Sequence, residues 1–218
     1  MEGAGAVLVL GEDLTGTAPR AALALRQTAR GAANALAAEK GVPAWLDNAA
    51  RVAGERRKTP IALVTPCADA LDDVATWAIR RAPEEVAGFG NAIAAALRGE
   101  AAEDAVRMVA ETLQGAERPL VVAGLGAGRT DVVEAAAKVA DALGESARLA
   151  LFPPEANSLG LALTGADGLE GAVVALERGE ARTAVIAEAD LYERAERGLV
   201  DRLFAAAETV IALDSSET

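Results

Sequence analysis

Four apolar runs in this chain end at Gly, Glu, Asp or Thr-Pro, and a helix-like segment follows each. They are Ala6-Val7-Leu8-Val9-Leu10 before Gly11-Glu12-Asp13, Ile61-Ala62-Leu63-Val64 before Thr65-Pro66, Pro119-Leu120-Val121-Val122-Ala123 before Gly124-Leu125-Gly126-Ala127-Gly128, and Thr183-Ala184-Val185-Ile186-Ala187 before Glu188-Ala189-Asp190. Continuous rather than alternating apolar strands suit a sheet buried on both faces, and helices returning between strands make that sheet parallel. The pattern predicts an α/β protein of two Rossmann-like, three-layer α/β/α units with mainly parallel sheets. Such sheets bind ligands beyond the carboxyl ends of their strands, where these Gly and acidic residues fall.

Helical periodicity predicts helices over residues 20–30, 32–40, 44–55, 84–97, 103–113, 131–143, 169–178 and 199–207. Further strands are expected at residues 148–152 and 210–213. Leu71, Val74, Ala75, Ala78 and Ile79 suggest an amphipathic turn or two before Pro83, and residues 157–164 read as loop. Glu117-Arg118-Pro119 is the best boundary, giving a first unit at 1–117 and a second, partial one at 118–218. The last strand finishes close to Thr218, an abruptness that suits a piece of a longer chain.

Composition excludes more than it identifies. Aromatic residues make up 3% of the chain, so Ala, Leu and Val must do most of the packing. A net charge of -12 repels phosphate polymers and argues against nucleic-acid or anionic-membrane binding. The basic cluster of Arg51, Arg56, Arg57 and Lys58 reads as a solvated loop. No apolar stretch approaches the ~20 residues needed to span a bilayer, and the N-terminus lacks a signal-peptide pattern, so a cytoplasmic location is expected. There is no histidine and one cysteine, Cys67. A protein-held iron–sulfur cluster, a His-based catalytic zinc site and Ser–His or Cys–His nucleophilic machinery are therefore beyond this chain alone.

Several loops are candidates for binding. Gly124, Gly126 and Gly128 precede a helix, where exposed amides bind anions and glycine admits a phosphate; Arg129 would add counter-charge. The spacing is not G-x-G-x-x-G, because Arg129 stands where a third glycine would be, and Asp131 would cap the helix. A structural tight turn is the favoured reading. After the first strand, Thr15 and Thr17 could touch phosphate, but Glu12 and Asp13 would repel it, so a capped turn is favoured there too. Glu188 and Asp190 repeat this strand–acid arrangement, with helix capping as the default role. Cys67 is expected to be a small buried hydrophobe. Asn157 and Gly160 form a polar turn in which Asn holds the backbone, ligand contact being the minority reading.

In order, these segments resemble the molybdopterin oxidoreductase family. Residues 6–30 resemble its strand, loop and helix. Asn157-Ser158-Leu159-Gly160, followed by Leu161-Ala162-Leu163-Thr164-Gly165, resembles its Asn-x-x-Gly…Gly segment, and residues 183–190 and 210–218 resemble its last two strands. With Leu71-Asp72-Asp73-Val74-Ala75-Thr76-Trp77 and Glu188-Ala189-Asp190, the chain is most similar to the branch formed by the large iron–sulfur subunit of bacterial NADH–quinone oxidoreductase, respiratory complex I. The resemblance runs collinearly over essentially the whole chain. It implies iron–sulfur clusters in a cysteine-rich N-terminal region of the parent subunit, none in this fragment, and partners among the other peripheral-arm subunits on the cytoplasmic face of the inner membrane. In true molybdoenzymes the equivalents of residues 12–17, 124–128, 157–160 and 188–190 line a guanine-dinucleotide cofactor. Here Glu12-Asp13 and Asp190-Leu191 replace the proline-containing loops, so Gly124, Gly126, Gly128, Arg129, Asn157 and Gly160 are implied to be vestigial cofactor contacts. The fragment is expected to be inactive alone and to act as a scaffold. The competing expectation is a nucleotide- or pterin-dinucleotide-binding module.

Overall fold

The structure, a computed structural model, describes residues 1–126, 128–155 and 157–215. It divides into two compact units, Met1–Ala156 and Asn157–Thr218. In the first, β1 (Ala6–Leu10), β2 (Ile61–Thr65), β3 (Trp77–Arg80), β4 (Pro119–Gly124) and β5 (Arg148–Phe152) form a parallel sheet in the order β3-β2-β1-β4-β5. Its helices are α1 (Leu14–Thr17), α2 (Pro19–Thr28), α3 (Gly31–Glu39), α4 (Asp47–Ala53), α5 (Pro83–Leu97), α6 (Asp104–Gln114) and α7 (Thr130–Leu143).

Every residue of β1, β2 and β4 is buried, as their unbroken apolar sequences require. Alternate side chains serve two cores. Leu8, Leu10, Val64, Val121 and Ala123 pack with Phe89 and Ile93 of α5, Val109 of α6 and Val139 of α7. Val7, Val9, Leu63 and Val122 pack with Leu14, Ala22 and Leu25 from α1 and α2. Each fully buried Val, Leu or Ile is worth about 1.5–3 kcal/mol, and these three strands are shared by both cores. Local signals set the helix starts: Pro19 and Pro83 occupy first-turn positions where a missing N–H costs nothing. The Glu85 carboxylate also accepts from the Ala82 amide at 3.1 Å.

The boundary expected at residues 117–119 is not where the compact units divide. β4 hydrogen-bonds directly to β1, with Val7 opposite Leu120, so the sheet runs on through this segment and the division falls after Ala156. A second difference is β3. The expected turn forms at Leu71–Ala75, where the Ala75 amide donates to the Leu71 carbonyl at 3.0 Å and Leu71, Val74 and Ala75 pack into the core shared with α2, but Ala78 and Ile79 lie in Trp77–Arg80, which continues the sheet beside β2.

The second unit holds α8 (Ser158–Leu163), α9 (Leu169–Glu177), β6 (Thr183–Ala187), α10 (Leu191–Arg194), α11 (Arg197–Ala206) and β7 (Thr209–Leu213). α8 replaces the expected loop. β6 and β7 pair in parallel, Val185 opposite Ile211, as a separate two-stranded sheet. Val173, Leu176, Val200 and Leu203 from α9 and α11 are its buried residues, whereas Val185 and every residue of β7 are exposed. Helix packing therefore covers one face of this sheet. The Glu217 and Thr218 of the expected closing motif, and Ala127 of the glycine loop, lie outside the described residues.

Candidate functional site

β1 is the switch point of the first sheet: chain leaving it crosses to β2 over the α2 face, while chain reaching β4 from β3 crosses over the α5 and α6 face. The chain after β1 and the chain after β4 leave toward opposite faces at such a point, and open α/β sheets take their ligands there. A crevice of about 420 Å³ opens at this end, lined by Gly11, Glu12, Asp13 and Thr17 after β1, by residues 65–69 at and after the end of β2, and by Gly126 from the loop after β4. Three of its lining residues are carboxylates (Glu12, Asp13 and Asp69), and no Lys or Arg is among the described residues that line it.

Glu12 is the unexpected member. It is only 1% exposed. Gly11, at φ +64, turns the chain directly after β1, and a side chain there would press on Val86 and Val132. The turn carries Glu12 inward. The Thr17 hydroxyl donates to Glu12 Oε1 at 2.7 Å, and the Gly126 amide donates to Oε2 at 3.2 Å. Both partners are neutral. The glycines of the β4 loop make room for this carboxylate: a Cβ on Gly124 would overlap it, and one on Gly126 would lie 3.0 Å from Oε1. Asp13 caps α1, accepting from the Thr15 and Gly16 amides at 2.9 and 3.1 Å.

The expected anion donors are committed elsewhere. Leu125 N–H donates to the Phe152 carbonyl at 3.1 Å, Gly128 N–H to the Leu125 carbonyl at 2.8 Å, and Gly126 N–H to Glu12. Gly128 sits at φ +67, the left-handed turn for which glycine is suited. Arg129 pairs with Asp131, its Nε lying 3.1 Å from Oδ1. That hydrogen bond raises the Arg129 pKa and lowers that of Asp131, so each neutralises the other. Asp131 does not cap α7, which starts at Thr130; it lies in the first turn, where a carboxylate favours the helix dipole.

Asn157 and Gly160 belong to the second unit. Asn157 stands at the start of α8 without a side-chain cap bond, and its amide lies over Gly160, where a Cβ would strike it. Glu188 has φ +48 and its amide donates to the Leu213 carbonyl at 2.8 Å, closing the β6 end. Asp190 caps α10 through the Tyr192 amide at 2.9 Å, as expected of a capping acid. The Tyr192 hydroxyl donates to Asp201 at 2.8 Å, which raises the phenol's pKa. Arg202 holds Glu177 through two bonds of 2.9 Å, lowering that carboxyl's pKa. Cys67, expected to be buried, is exposed, because the chain leaves β2 at Pro66 into a surface loop. Arg51, Arg56, Arg57 and Lys58 are exposed, as read from the sequence. Among the described residues no group of three or more His, Cys, Asp and Glu is gathered to hold a metal, and no helix is long and apolar enough to cross a membrane.

No protein-family model matches the chain. Curated proteins do. The G subunit of NADH-quinone oxidoreductase from Pseudomonas putida KT2440 is 40% identical over 98% of this chain and 25% of its own length. The G subunits from Escherichia coli K12 and Salmonella typhimurium LT2 are each 36% identical over the same shares. The chain is homologous to part of the G subunit of NADH-quinone oxidoreductase. It spans about a quarter of the length of these relatives. Identity runs across both compact units, so the acidic crevice and the two-stranded sheet both lie within the stretch shared with the G subunits.

The sequence pointed to the right strand ends but mistook the role of Glu12, read as part of an ordinary capped turn. The available signal was its place: a carboxylate two residues beyond a wholly buried strand, opposite a glycine-rich loop on the neighbouring strand.

Proposed function

We infer that this chain is a non-catalytic scaffold: a fragment of the molybdopterin-oxidoreductase-like domain of a G-subunit homologue, supporting the peripheral arm of the respiratory complex that passes electrons from NADH to quinone. One observation carries the reading. Three carboxylates are among the residues lining the crevice, and the glycine-loop cation, Arg129, is spent on Asp131. Phosphate entering such a crevice would meet like charge, which costs free energy at short range; Arg80, whose guanidinium donates to the lining Thr65 hydroxyl at 2.7 Å, is itself paired with Asp72. A pterin or nicotinamide dinucleotide carries that phosphate, so these residues do not fit one. The chain's partners are then the other peripheral-arm subunits of a complex on the cytoplasmic face of the bacterial inner membrane. It holds no cofactor of its own, the iron–sulfur clusters belonging to a cysteine-rich region of the parent subunit, and it contacts neither nucleic acid nor the bilayer interior.

The 420 Å³ crevice at the ligand end of a nucleotide-type sheet supports the competing reading, a module that binds a nucleotide or pterin dinucleotide. Thermal unfolding of the chain with NADH, GTP or a pterin dinucleotide separates the two. A ligand at 100 times its Kd stabilises the native state by about 2.7 kcal/mol. The scaffold reading expects no saturable rise in Tm with any of them; a saturable rise with one overturns it.

A further inference from the structure

We propose that Glu12 is a built-in substitute for a ligand phosphate: the chain supplies its own anion to the switch-point crevice and uses it to tie the β1 and β4 loops together. The proposal rests on the scaffold reading and explains how the crevice does without a ligand.

Three features converge on this carboxylate. Its burial is almost complete, at 1% exposure, although a desolvated carboxylate is costly without strong hydrogen bonds. Its two described donors come from segments far apart in the chain. Thr17 ends α1, which follows β1, and the Gly126 amide lies in the loop between β4 and α7. In a nucleotide-binding α/β fold a loop amide at this place, leading into a helix N-terminus, donates to phosphate. Here the acceptor is Oε2 of a residue 114 positions earlier in the chain. Finally, Gly124 and Gly126 give the close backbone approach that a phosphate would need, yet what they approach is the Glu12 carboxylate. A side chain at Gly124 would collide with Glu12 and with the Phe152 carbonyl, so the cradle is shaped around the acid it holds. Asp13 is excluded from this role because its carboxylate caps α1.

Chemical rescue tests the idea. Glu12→Ala removes the carboxylate and frees the Gly126 amide, while the Thr17 hydroxyl keeps the Asp13 carbonyl at 2.9 Å as an acceptor; Glu12→Gln keeps the shape and both contacts, since an amide can accept from Gly126 and donate to Thr17, but removes the charge. Thermal unfolding is followed with sodium formate or sodium phosphate, against sodium chloride at equal ionic strength. The expected result is a lowered Tm for Glu12→Ala that formate or phosphate raises saturably, with no such rise in the wild type or in Glu12→Gln. An equal shift in all three proteins, or an alanine variant that neither anion restores, overturns the proposal. Should Glu12→Ala not fold, Glu12→Asp decides it. One methylene shorter, its carboxylate falls short of Gly126, so that amide should exchange hydrogen at least tenfold faster than in the wild type; unchanged protection overturns the proposal. The two readings fail separately. Wild-type binding of a dinucleotide defeats the scaffold, whereas an unrescued alanine variant in a chain that binds no dinucleotide defeats only the Glu12 assignment.

Discussion

At the scale of single residues, several charged side chains are paired with one another rather than left open to a ligand. Arg129, the one cation of the glycine loop, faces Asp131 two residues on rather than an incoming anion. Glu55 is held by Lys40 and Arg57, and Asp73 by Arg26, each pair lowering the carboxyl's pKa. These pairs are solvent-exposed, and screening keeps their stability contribution small. Their titration is still readable. Because Arg129 lowers the Asp131 pKa, the pair's contribution is fully present above the unfolded-state value, about 3.9, and is lost as pH falls through the lower folded value. Carboxyl-carbon NMR should place the Asp131 midpoint below about 3.9, and Arg129→Gln should return it toward that value. A wild-type midpoint already at the ordinary value would show that the pair does not form in solution. Glycine carries a different burden at Gly11, whose left-handed backbone aims Glu12 into the crevice.

At the scale of elements, burial separates strands that hold the fold from helices that merely complete the chain. β1 is packed from both faces, with Leu8 wholly buried against α5 to α7 and Val9 against α2. Leu8→Ala should cost about 2–5 kcal/mol, because a cavity in a doubly covered sheet cannot collapse without moving two helical layers. α8 is the opposite case: none of its residues is buried, and Leu163 is 80% exposed. Leu163→Ser should change stability by less than about 0.5 kcal/mol. Urea midpoints of both variants against the wild type measure this contrast, and equal effects would contradict the layer assignment. The same logic explains why helix periodicity was legible over α5, α6 and α7, whose buried stripes face one core. It held at residues 71–75, a turn on the core in which the Ala75 amide donates to the Leu71 carbonyl at 3.0 Å, and misled at Ala78 and Ile79, which belong to the strand β3. Short apolar runs satisfy either period, and only pairing with β2 decides between them.

At the scale of the whole molecule, the two units differ in how completely they bury themselves. Residues 1–156 have a five-stranded sheet with a core on each face, whereas the described residues from 157 onward bury few side chains and leave β7 exposed. The segment 1–156 expressed alone should therefore unfold in one cooperative thermal transition, as small single domains do. A broad, non-cooperative melt by calorimetry would show that it depends on the rest of the chain. The strands other than β3, their parallel sense and the acids and glycines at their ends were written in the sequence, because unbroken runs such as Ala6–Leu10 can be buried only between two layers. Likewise the absence of histidine and the single cysteine ruled out whole classes of chemistry before any fold was known. The division after Ala156 and the inward turn of Glu12 were decided by tertiary structure alone. Both depend on contacts between segments far apart in the chain, β4 against β1 and the Gly126 amide against Glu12, and no local propensity encodes a hydrogen bond spanning 114 residues.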